Sequence, residues 1–79
     1  MGSSHRKTNE ELISNTRDLF NAGEFKELGL EVNTAFRDAI YSEVPTETED
    51  GFALSVTEQL QIRADRIREA YKKLSEIIK

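Results

Sequence analysis

Pro45–Gly51, PTETEDG, places Glu47, Glu49 and Asp50 close together with no base among them. Carboxylates at that density can ligate a hard cation, work as an acid and base pair, or lie against a basic partner. The calcium case is decided by spacing. In the calcium loop of an EF-hand a glycine occupies position six, so Gly51 would set Thr46, Thr48, Asp50 and Thr57 at positions one, three, five and twelve. Only Asp50 is a carboxylate among them, and Glu58 falls one residue beyond the bidentate position, where helix capping accounts for it. No metal site is expected.

The rest of the chemical inventory is thin. There is no cysteine, His5 is the single histidine and lies in the polar opening MGSSHRK, and the four glycines form neither a GxGxxG nor a Walker pattern. Aspartate and glutamate alone can move protons, but they need a concave, dry pocket that a chain of 79 residues offers sparingly. The sequence therefore predicts no catalytic residue, no cofactor and a non-catalytic role.

The elements around the acidic stretch are helical. Thr8-Asn9-Glu10-Glu11 has the form of a capping box, and Leu12, Ile13, Thr16, Leu19 and Phe20 follow on one face up to Gly23, predicting a helix over 9–22. Phe25 and Leu28 in EFKEL are spaced to share one side of a single turn closed by Gly29. Val32, Ala35, Phe36, Ala39 and Ile40 then predict a helix over 33–43, with Asn33 or Thr34 as its cap. Pro45 ends it, having no N–H and biasing Val44 away from helical angles.

An acidic connector over 44–54 leads to a second capping box, Ser55-Val56-Thr57-Glu58, and a helix over 56–78 free of Gly and Pro. Leu60, Ala64, Ile67, Tyr71, Leu74 and Ile78 recur at alternating spacings of four and three, the seam of a coiled coil or an antiparallel bundle. Ile62 lies off that seam. Beside Phe52 and Leu54 it marks where the connector folds back on the helix or where another chain docks. The expected fold is all-α: a small bundle of three main helices plus a short helical turn, with a long C-terminal helix. Residues 1–7 are expected to be a flexible leader and 8–79 a single helical domain.

Charge divides the chain. Residues 24–58 carry nine acids against Lys26 and Arg37, a net charge of −7, whereas 59–79 carry six bases against three acids, a net charge of +3. Such polarity favours association with a basic surface, and equally an attraction between the two halves. Glu69 four residues before Lys73, and Asp65 three before Arg68, partner some of the basic charge within the helix. The usual staples of a small domain, disulfides and metal, are missing, which leaves oligomerisation or a partner as the added stabiliser. No apolar run approaches the roughly 18 residues of a membrane span, so a cytoplasmic protein without membrane contact is expected.

Glu27–Ile40, ELGLEVNTAFRDAI, resembles the segment between the two helices of antitoxins of the RelB and DinJ type, where a leucine-glycine-leucine turn precedes a capped amphipathic helix. The likeness covers about a sixth of the chain. Those antitoxins also share an N-terminal DNA-binding strand, and MGSSHRKTN, which stands in that place here, lacks the alternation a strand needs. No functional residue is carried over.

These observations predict a small regulator or inhibitor, bacterial or from a phage, that docks a protein partner through Asp38, Glu43, Glu47, Glu49, Asp50 and Phe52. The competing expectation is a homodimer joined through Leu60, Ala64, Ile67, Tyr71, Leu74 and Ile78 that binds nucleic acid through the basic positions of the last helix, in the manner of a repressor or antitoxin. A third is a structural segment of a larger assembly, whose stability would depend on its concentration.

Overall fold

The computed structural model describes residues 8–77. The expected leader, His5 and the last seam residue, Ile78, lie outside the described residues. Three helices carry the fold: α1 (Asn9–Asn21), α2 (Leu30–Tyr41) and α3 (Val56–Ile77), with a 3-10 turn at Lys26–Leu28 between the first two. The all-α bundle with its long C-terminal helix is the architecture that the hydrophobic spacing predicts.

α1 begins where its capping box places it. The Glu11 N–H donates to Thr8 Oγ1 at 3.1 Å, and Glu11 Oε1 accepts from the Thr8 N–H at 3.2 Å. Its end is a Schellman closure: Glu24 N–H reaches Leu19 O at 3.1 Å, Gly23 N–H reaches Phe20 O at 3.0 Å, and Gly23 supplies the left-handed φ of 84°.

α2 starts earlier than the sequence suggests. Neither Asn33 nor Thr34 caps it; Gly29 does, without a side-chain bond, and the Asn33 N–H already donates to Gly29 O at 3.0 Å. Gly29 holds φ at 120°, which separates the 3-10 turn from the helix in a single residue. The turn also divides its two apolar residues. Phe25 enters the core, while Leu28 and Leu30 remain exposed.

The core gathers Ile13 and Thr16 from α1, Phe25, then Val32, Phe36, Ala39 and Ile40 from α2, and Ala64, Ile67 and Ala70 from α3. At its centre Phe25 and Phe36 stack with ring centroids 3.8 Å apart, and the Tyr71 ring meets Phe36 edge-on at 4.8 Å. Thr16 is the one buried polar residue among those described, and its hydroxyl bonds the Tyr71 hydroxyl at 3.1 Å, so its burial leaves no orphaned group.

The seam of α3 faces its own chain. Ala64 and Ile67 have no exposed surface, and Leu60, Tyr71 and Leu74 pack half-buried against the core. The side-chain bonds of Asn9 to Gln61 and Arg68 and of Thr16 to Tyr71 tie α1 to α3. Ile62, off the seam, is half-buried.

Candidate functional site

The acidic connector is an ordered hairpin. The Thr48 N–H donates to Phe52 O at 2.8 Å, Leu54 N–H to Thr46 O at 2.9 Å and Gly51 N–H to Thr48 O at 3.0 Å, while Glu47 and Ala53 form an antiparallel bridge. Glu49, Asp50 and Gly51 make the loop. This is the three-residue pattern in which a turn is followed by a left-handed residue, and Gly51 takes that place at φ 86°. The Thr48 hydroxyl accepts from the Phe52 N–H at 3.1 Å and closes the tip from inside.

The foot of the hairpin is fastened to α3. Gln59 Nε2 donates to Leu54 O at 3.1 Å, and the second capping box forms, with Ser55 N–H to Glu58 Oε1 at 2.9 Å and Glu58 N–H to Ser55 Oγ at 3.1 Å. The Ser55 backbone N–H, and after it the Ser55 hydroxyl, hold the Glu58 carboxyl below its ordinary value, because a donor directed at the carboxylate favours its charged form.

With the backbone so occupied, the side chains point to solvent. Glu47, Glu49 and Asp50 are exposed, Phe52 is 70% exposed and Val56, at the start of α3, is 73% exposed. A phenylalanine left in water forgoes about 1.5–3 kcal/mol of burial, which a docking partner can recover. Val56 is an exposed apolar residue that charge and motif reasoning does not single out, since within a capping box it reads as the first helical position.

The six expected contact residues lie on three parts of the chain. Glu47, Glu49, Asp50 and Phe52 share the hairpin. Asp38 stands on α2, 3.7 Å from Arg37 in an exposed ion pair, and faces a groove of about 560 Å³ floored by Ala35, Ala39 and Ala70. Glu43 lies between α2 and the hairpin, its carboxylate exposed and its carbonyl accepting from Arg66 Nη1 at 2.7 Å.

The arginines of α3 are largely engaged. Arg63 donates to Ala39 O at 3.0 Å, Arg66 to Ser42 Oγ at 2.9 Å as well as to Glu43 O, and Arg68 to Asp65 Oδ1 at 3.2 Å and Asn9 Oδ1 at 2.9 Å. Among the described residues no group of three or more histidines or carboxylates is placed to hold a metal ion, and no helix is long and apolar enough to cross a membrane. No family model, curated protein or solved structure matches the chain.

Proposed function

We propose that this protein is a non-catalytic regulator or inhibitor that docks a partner protein through the acidic hairpin. The observation that supports the reading best is the exposure of Phe52 on a hydrogen-bonded loop that also carries Glu47, Glu49 and Asp50. An aromatic side chain on the same short loop as three carboxylates suits an apolar pocket rimmed with Lys and Arg: the ring supplies affinity on desolvation, and the charges supply orientation and a fast encounter. Asp38 and Glu43 would act as outlying contacts.

The homodimeric, nucleic-acid-binding reading receives less support. Ala64 and Ile67 already lie inside this chain's own core, and three of the basic side chains that would meet phosphate hold backbone carbonyls or polar side chains of the same molecule. The two readings separate on charge reversal. Glu47→Lys, Glu49→Lys and Asp50→Lys together should abolish partner binding and its salt dependence, whereas a nucleic-acid binder would keep or improve its affinity for duplex.

A further inference from the structure

Three guanidinium groups gather where α1, the end of α2 and α3 meet. Arg17 follows Ile13 by one turn of α1, and Arg63 and Arg66 stand a turn apart on α3. The latter two satisfy carbonyls at the C-terminal end of α2, where the helix dipole favours cations. Capping accounts for one nitrogen of Arg63 and says nothing of Arg17. Among the described residues the ion pairs are Arg37 with Asp38 and Arg68 with Asp65, so none of the three clustered arginines is paired with a carboxylate. Burial holds the Arg63 guanidinium below its ordinary value, and the charges of Arg66 and Arg17 push it the same way.

Arg17 and Arg63 also line a notch of about 230 Å³ whose other walls include the branched side chains Ile13, Val44, Val56 and Leu60. Gln59 completes the lining, so two guanidinium groups and one carboxamide stand beside four aliphatic side chains, a mix that matches an amphipathic anion. A guanidinium takes a carboxylate through two parallel bonds, and the aliphatic walls take a short hydrocarbon chain. At about 30 Å³ for each water-sized group, the notch has room for roughly eight heavy atoms, a carboxylate with about five carbons behind it. A bare inorganic anion would leave four apolar walls unused.

We infer that this notch binds the carboxylate of a short aliphatic acid, with Arg17 and Arg63 on the carboxylate and Val44, Val56 and Leu60 around the chain. The site is separate from the acidic tip of the hairpin and does not rest on the docking role assigned to it. The carboxylate is carried either by a free acid or by the C-terminus of a peptide ending in an aliphatic residue.

The test is an NMR titration of the full chain that follows its methyl and arginine Nε–Hε signals. The probes are hexanoate, hexanol, inorganic phosphate, and a short acetylated peptide ending in leucine as free acid or as amide. Saturable shifts at Val44, Val56, Leu60 and Arg63 are expected with hexanoate or the free-acid peptide in the millimolar range, and not with hexanol or the amide. The tighter of the two anions identifies the source. Arg17 is exposed, so Arg17→Gln should fold normally and weaken binding about tenfold, the scale of one charged hydrogen bond, with partial recovery in Arg17→Lys. Equal shifts with hexanol, equal shifts with phosphate, unchanged affinity in Arg17→Gln, or no saturation by either anion would each overturn the assignment.

Discussion

Replacing Gly51 by alanine separates the hairpin from the bundle beneath it. Gly51 sits at φ 86°, and a Cβ built there meets nothing within 4 Å, so Gly51→Ala changes the backbone preference without a clash. A left-handed conformation costs an ordinary L residue about 1–2 kcal/mol. Against this stand the bonds of Thr48 N–H to Phe52 O, Gly51 N–H to Thr48 O, Leu54 N–H to Thr46 O and Phe52 N–H to Thr48 Oγ1, each contributing about 1 kcal/mol net. A loss of about 1.4 kcal/mol multiplies the open population by ten. Native-state hydrogen exchange reads this directly: the Thr48 and Leu54 amides should exchange about tenfold faster. Amides of α2 and α3 beside Phe36 and Ile67 should keep their rates, because no residue of 46–54 belongs to the core. Unchanged exchange at Thr48 and Leu54, or equal acceleration throughout α2 and α3, would refute an independently held hairpin.

Phe36→Ala removes the fully buried ring between Phe25 and Tyr71 and should cost about 3–5 kcal/mol, a large part of the roughly 4–10 kcal/mol available to a domain of this size; urea unfolding followed by circular dichroism measures it. The Glu58 carboxyl, lowered by the Ser55 backbone N–H and then its hydroxyl from an ordinary 4.5, stabilises the fold fully above that unfolded-state value, and the contribution is lost as pH falls through the lower folded value. A carboxyl carbon titration should therefore place its midpoint below 4.5, with a midpoint at or above 4.5 contradicting the cap. Because Ala64 and Ile67 are consumed within the chain, sedimentation should return a monomer whose mass does not change with concentration.

The helix starts that rest on short-range side-chain chemistry are legible in the sequence. Thr8 with Glu11 and Ser55 with Glu58 cap at the positions that their spacing predicts, and the register of Ala64, Ile67 and Ala70 points inward as the apolar stripe requires. The start of α2 is not legible in the same way. It is set by the backbone angle at Gly29, while Asn33 and Thr34, attractive as caps by type, already lie inside the helix. The hairpin has one visible signal, Asp50-Gly51, but Thr46–Thr48 and Phe52–Leu54 lack the alternation that normally accompanies it, and its bonds are almost all backbone to backbone. The candidate contact surface divides for a similar reason: charge can be counted along the chain, but the distribution of Asp38 to the α2–α3 groove and of Glu47, Glu49 and Asp50 to the hairpin follows from packing. Arg17 and Arg63 meet only because α1 and α3 lie side by side, which no local pattern reports.

The most direct test of the docking role is a photo-crosslinking experiment in cells of the native host, with a benzophenone amino acid in place of Phe52 and, separately, in place of Lys72 on α3. The account predicts one dominant adduct from position 52, to a protein with a basic surface, that disappears when Glu47, Glu49 and Asp50 are reversed to lysine. Adducts that survive the reversal, or that form from position 72 alone, would contradict it.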